Sequence, residues 1–291
     1  MSRIAYVNGR YVRHANAAVH IEDRGYQFAD GVYEVCEVHG GRLIDERLHV
    51  DRLQRSLSEL RIAMPMSRAA LGAVLRETVR RNGVREGMVY LQVTRGAAPR
   101  NHAFPEAGTP PALVVTAKSV NPLMGETRAA GGVAVITVPD NRWDRVDIKT
   151  VGLLPNVLAK QAAKEAGAYE AWFVDSDGKV TEGSSTNAWI VTKDGTLVTR
   201  PAETGILRGI TRTVLMALAR ERGLVLEERA FSLDEARGAR EAFITAATTL
   251  VMPVVRIDDQ PIGNGMPGSI ATELRQRFHD HVETAAAWSR G

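Results

Sequence analysis

Lys149 and Glu182 are the residues of this 291-residue chain whose settings most invite chemistry. Lys149 lies in Val146-Asp147-Ile148-Lys149-Thr150-Val151. That run alternates, with Val146, Ile148 and Thr150 on one face and Asp147, Lys149 and Val151 on the other, and it reads as a strand. If the lysine's face turns inward, the amine is desolvated. Burial disfavours the ammonium and leaves an amine able to attack a carbonyl carbon. On a solvated edge the same lysine would do nothing of the kind. Glu182 precedes Gly183-Ser184-Ser185, a turn of small hydrogen-bonding residues whose backbone an anionic group can approach.

Other candidates carry charge or a ring. Arg52 sits in the helix expected over 47–61, where Leu53, Leu57 and Leu60 recur at helical spacing. Its plain role would be a surface pair with an acid one turn away, and a guanidinium also suits a phosphate bidentately. Tyr33 shares a strand face with Val35 and Glu37, where a tyrosine is commonly core with its hydroxyl satisfied. Arg100 and His102 stand two apart in the Gly- and Pro-rich loop from Arg95 to Pro105, and alone they make a solvated loop. The stretch Thr204 to Arg212 brings glycines to a helix start, where backbone N–H groups and the dipole favour an anion.

The elements that must position these groups follow from pattern. Asn8-Gly9 predicts a hairpin from Ile4 to Val12. Strands are expected after Gly31, over 88–94 and over 112–117, and a helix capped by Ser67 runs to about Arg81. Ser119 to Gly132, with its Pro and glycines, reads as a linker. Beyond it come a strand over 133–138, a helix from Pro155 to Ala166, and hairpins over 170–182 and 188–199. A long helix to about Arg222, a capping box at Ser232–Glu235, a strand over 242–246 and a closing helix from Ile270 to about Trp288 complete the chain.

Composition bounds the rest. The chain is 44% hydrophobic and 24% charged with a net charge of +3, which is ordinary for a soluble globular protein. Basic residues are scattered, without a polybasic tract, so no nucleic-acid partner is expected and small carboxylates and phosphates suit the balance. The single cysteine, Cys36, allows no internal disulfide and points to the cytoplasm. No signal-like N-terminus, membrane span or metal-ligand cluster is expected.

Three segments carry a resemblance. Asp147-Ile148-Lys149, then Leu153-Leu154-Pro155-Asn156-Val157-Leu158-Ala159-Lys160, then Thr181-Glu182-Gly183-Ser184-Ser185-Thr186-Asn187 resemble, in that order, the class IV aminotransferases. These are pyridoxal 5'-phosphate (PLP) enzymes of fold type IV, including D-amino-acid and branched-chain aminotransferases and aminodeoxychorismate lyase. The likeness runs from about Tyr6 to about Phe278.

The resemblance implies an α+β chain of two domains, a small α/β domain over 1–118 and a larger β-barrel-like domain with flanking helices over 133–291. Residues 119–132 would link them, and the larger domain would carry the PLP lysine. It implies Lys149 as the catalytic amine that links to the cofactor, with Glu182 at the pyridine nitrogen. Arg52, Ile210 and Thr211 would hold the phosphate, with Leu207 against the ring. Many family members have a phosphate-binding threonine where Ala247 stands; here either Thr248 would substitute for it or the backbone would suffice. Tyr33, Arg100 and His102 would orient the substrate carboxylate, the last two from a neighbouring subunit of a homodimer with a shared active site. The Arg-x-His pattern looks like that of D-amino-acid aminotransferases, so the expected substrates are D-alanine and D-glutamate with 2-oxo acids. A branched-chain L-amino-acid aminotransferase and an (R)-amine transaminase remain alternatives on the same scaffold. A non-catalytic anion-binding module is the alternative of another class.

Overall fold

A computed structural model describes residues 3–203 and 205–288, with side chains as far as 282; Thr204, expected at the head of a helix entry, lies outside the described residues. The chain divides into two compact units. One holds the N-terminal part to Asn121 together with Ile148–Gly152, and the other holds Pro122–Asp147 and Leu153–Val282.

The first unit begins with β1 (Ile4–Val7) and β2 (Arg10–Arg13). Asn8 and Gly9 join them at φ values of 45° and 92°, as the right-handed twist of a two-residue hairpin requires. After α1 (Arg24–Phe28) come β3 (Gly31–His39) and β4 (Arg42–Leu43), then α2 (Glu46–Glu59) and α3 (Arg68–Arg81), then β5 (Gly87–Thr94) and β6 (Ala112–Ser119). The six strands form one antiparallel sheet in the order β2-β1-β6-β5-β3-β4. Along β3 the alternation is regular: Val32, Glu34, Cys36 and Val38 are buried, while Tyr33, Val35 and Glu37 are half-buried. The buried face packs against Leu53 and Leu57 of α2 and Leu71 and Leu75 of α3. Cys36 sits in that core, where burial first, and the nearby Glu34 charge second, push its thiol up.

The expected strand around Lys149 is not there. Residues 144–147 form a turn, and only Thr150 makes an isolated antiparallel bridge, to Val32. The Tyr33 N–H donates to the Lys149 carbonyl at 3.0 Å and the Val151 N–H to the Gly31 carbonyl at 3.0 Å. The segment therefore leans on the first residues of β3 without extending a ladder. Asp147 and Ile148 are both buried, which a period of two forbids. Ile148 joins the core of the first unit, so Lys149 belongs to that unit and not to the C-terminal one.

The second unit starts with α4 (Pro122–Gly131), where a linker was expected. Proline is tolerated in the first turn of a helix; Gly131 falls at its end, and Gly125 is carried inside it. The unit continues through β7 (Val133–Pro139), α5 (Leu154–Glu165), β8 (Glu170–Val174), β9 (Lys179–Gly183), β10 (Asn187–Val191), β11 (Leu197–Thr199), α6 (Ile210–Glu221), β12 (Leu226–Glu228), β13 (Phe231–Ser232) and α7 (Leu233–Arg237). It closes with β14 (Glu241–Ala246), β15 (Leu250–Ile257), β16 (Gln260–Pro261) and α8 (Ser269–Trp288).

Ten strands make one sheet in the order β12-β11-β10-β14-β15-β7-β8-β9-β13, with β16 on β15. Among the described residues no ladder joins its two end strands, so the sheet is an open half-barrel. Central β15 carries Pro253, a residue that speaks against a strand in sequence. It is accommodated because Pro253 faces Phe243 of β14, while the parallel ladder to β7 starts one residue later at Val254. Trp172, Ile190, Ile244 and Met252 fill one core and Trp189, Phe243 and Leu215 another. Among the described residues no helix is long and apolar enough to cross a membrane.

Candidate active site

In the first unit, Lys149 is half-buried, and its Nζ stands 4.1 Å from the ring centroid of Tyr33. Its backbone N–H donates to Ser56 Oγ of α2 at 3.3 Å. Tyr33 stacks on Tyr90 at 5.8 Å. Burial, and then Tyr33, push the Tyr90 phenol up to about 12, and its hydroxyl donates to Gln92 at 2.7 Å.

Arg52 is held by a carboxylate that the sequence left unremarked. Its Nε donates to Glu34 Oε1 at 2.7 Å and its Nη2 to Oε2 at 2.8 Å. His49 Nδ1 lies 2.8 Å from the same Oε2. Glu34 is wholly buried on the core face of β3. Burial alone would raise its carboxyl, but the Arg52 charge and hydrogen bonds, then His49, hold it at about 2. The edge of Arg52 formed by Nε and Nη2 is thus engaged by protein, and the guanidinium plane is set by β3.

Arg100 and His102 are exposed, and both meet Phe28 at the end of α1. The guanidinium carbon of Arg100 is 4.6 Å from the Phe28 centroid, and the His102 ring is 5.4 Å away.

In the second unit, Glu182 is the penultimate residue of β9 and is buried. Its carboxylate accepts from Arg142 Nη1 at 2.5 Å, from Asn187 Nδ2 at 3.0 Å and from the Leu207 N–H at 3.1 Å. Arg142 is itself paired with Asp140 at 2.7 Å, and Thr181 Oγ1 donates to Asp140 at 2.7 Å. Burial works against the Arg142 cation, but Asp140 and Glu182 outweigh it and raise its proton affinity. Asn187 lies within the segment that drew attention to Glu182 and Arg142 lies outside it, and nothing in their spacing says that they grip it.

The Gly183–Thr186 turn is fixed separately. Glu170, fully buried in β8, accepts from Ser184 Oγ, from Ser185 Oγ at 2.9 Å and from the Ala171 N–H at 2.9 Å. Leu207 is half-buried, and Ile210 and Thr211 open α6 as buried residues. Among the described residues no side chain caps α6 and no acid stands in its first turn, the arrangement that suits an arriving anion. Residues 247–249 form the turn from β14 to β15. There Ala247 is half-buried, Thr248 is exposed, and Thr249 Oγ1 is buried without a hydrogen-bond partner among the described residues.

The family described as amino-transferase class IV matches residues 31–257. The chain is 43% identical over 280 residues to a D-alanine aminotransferase of Bacillus licheniformis, covering 96% of this chain and 97% of that one. It is 41% identical to one of Listeria monocytogenes, covering 96% of each. Its fold is similar to the branched-chain aminotransferase of the archaeon Thermoproteus uzoniensis with norvaline, with a TM-score of 0.83 at 26% identity over 96% of this chain and 94% of that one.

The Glu34 carboxyl sits below its ordinary value of 4.5, so its stabilisation is complete above that pH and is lost as the pH falls toward about 2. We expect urea unfolding of Glu34→Gln to show a gap from the parent that includes about 3 kcal/mol from this linkage at pH 7. The gap should narrow steadily between pH 5 and pH 3, and a constant gap would contradict the buried pair.

A second expectation concerns Gly209, where a Cβ would lie 2.1 Å from Asn187 Oδ1. Gly209→Ala should destabilise by about 1–3 kcal/mol through this overpacking. Combining it with Asn187→Ala should recover part of that loss, and simple additivity in melting experiments would argue against the contact.

Proposed function

Because the chain belongs to the class IV aminotransferases, which are PLP enzymes, we propose that it moves the amino group of D-amino acids such as D-alanine and D-glutamate to 2-oxo acids. The observation that carries this choice of substrate is the end-to-end identity with D-alanine aminotransferases, 43% over 96% of the chain. Likeness to a branched-chain enzyme is lower in sequence, at 26%, although the fold is shared.

The residues present fit the cofactor. Among the described residues Lys149 Nζ pairs with no carboxylate, which leaves an amine for an aldehyde. A buried carboxylate held by three donor groups suits a protonated ring nitrogen, and an uncapped helix start suits a phosphate. When bound, PLP supplies the aldehyde that receives the amino group and the ring that takes up the electrons left by the departing α-proton.

Lys149 would anchor the cofactor covalently and, as a free amine, would be the base that holds the α-proton at Nζ. Tyr33, beneath Nζ, orients that amine and the substrate. Glu182 keeps the ring nitrogen protonated. Arg142, Asn187 and the Leu207 N–H stop its carboxylate from turning away, and the Leu207 side chain packs the ring. Arg52, its plane set by Glu34, supplies charge to the phosphate, and the Ile210 and Thr211 N–H groups donate to it. Thr248 is the remaining phosphate residue, taking the place of a threonine where Ala247 stands. Arg100 and His102 bind the substrate carboxylate, charge-assisted and aimed by their loop. They act in a homodimer, each loop serving the neighbouring subunit. A lone, buried cysteine fits a reducing cytoplasm.

Purified protein offered D-alanine or L-leucine with 2-oxoglutarate should turn over the former, and turnover of L-leucine alone would refute the assignment. Mixing inactive Lys149→Ala with Arg100→Ala protein, which turns over D-alanine only at raised KM, should restore under subunit exchange the parent KM that neither has alone. Failure to complement would place the loop's action within its own subunit.

A further inference from the structure

We propose that Phe28 is a positioning residue for substrate-carboxylate recognition: its ring is the platform on which Arg100 and His102 are held. This rests on the assignment of those two residues to the substrate carboxylate. Both side chains are exposed, and long exposed cations lose rotamer freedom when they must meet a ligand in one geometry. A platform reduces that loss by ordering them beforehand.

The platform is rigid. Asp23 caps α1, its Oδ1 accepting from the Gly25 N–H at 2.8 Å and its Oδ2 from Thr94 Oγ1 at 2.9 Å. Gly25 presses so closely on β5 that a Cβ there would lie 2.2 Å from Thr94 Cγ2. The helix stops at Ala29 in the left-handed region, φ 56°, which fixes where the Phe28 ring projects.

Three cationic or imidazole groups gather on that ring: Arg100 at 4.6 Å, Arg24 at 4.8 Å and His102 at 5.4 Å. Buried Arg24 also ties down the loop backbone, Nη1 donating to the Asn101 carbonyl at 2.6 Å and Nη2 to the His102 carbonyl at 3.4 Å. Its Nε pairs with Asp30 at 2.8 Å, and Asp30 also binds Arg95, the residue where the loop begins. One carboxylate therefore anchors both the root of the loop and the arginine that holds its tip. A cation–π contact near the surface shifts an equilibrium about two- to fivefold, so loss of the half-buried ring face is felt in binding and not in the chemical step.

The test uses the PLP-loaded enzyme and steady-state kinetics with D-alanine at saturating 2-oxoglutarate. Phe28→Leu should raise KM about fivefold with kcat within about twofold and an unchanged melting temperature. Phe28→Tyr, which keeps the ring face, should retain the parent KM, and Arg100→Ala should raise KM further than Phe28→Leu. If Arg100→Ala raises KM but Phe28→Leu does not, the platform is refuted while the carboxylate assignment survives. If Arg100→Ala leaves KM unchanged, the assignment fails and the platform fails with it. A Phe28→Tyr variant as impaired as Phe28→Leu would also overturn it. Should Phe28→Leu melt early, Arg24→Lys makes the same KM-against-kcat comparison on the carbonyl half of the brace, and an unchanged KM there counts against the proposal.

Discussion

A carboxylate taken out of water is held in place only if donors surround it, and in the second unit Glu182 sets that requirement. Three separate stretches supply the donors: Arg142 after β7, Asn187 at the start of β10 and the backbone of Leu207 before α6. Each must arrive in register. The order of strands in the half-barrel, the glycine at 209 and the second acid at Asp140 all serve that convergence. Truncating one partner of such a buried charge pair typically costs about 3–5 kcal/mol, far above the worth of a surface ion pair.

The first unit solves the same problem with different parts. Glu34 fixes the plane of Arg52, and Asp30 ties Arg24 to Arg95. In both places the acid is buried or nearly so, and the arginine's geometry follows from it. Burial would raise the Asp30 carboxyl, but hydrogen bonds from Arg95 and Arg24 outweigh it and lower it. Side chains that lose little further freedom on meeting a ligand are those whose partners are already in place.

Much of this was legible in the chain itself. The hairpin at Asn8-Gly9, the Ser67 cap and the amphipathic α2 each depend on interactions a few residues apart. The partners of Arg52 and Glu182 were not legible, because they come from afar: Glu34 lies 18 residues from Arg52, and Arg142 lies 40 from Glu182. The alternating run at Lys149 misled for a related reason. Ile148 is drawn into a core assembled from α2, α3 and β3, and that long-range burial overrides the local period. Pro253 hid a central strand, since only its place one residue ahead of the parallel ladder makes it harmless. Pro122 disguised a helix as a linker.

The chain's sole thiol lies on the core face of β3, beneath the two long helices of the first unit, and the second unit has none. A thiol reagent therefore finds no target until the layer over that strand opens. The rate of Cys36 labelling is a built-in clock for the opening of one half of the molecule. It needs no engineered probe and is silent to events confined to the other half.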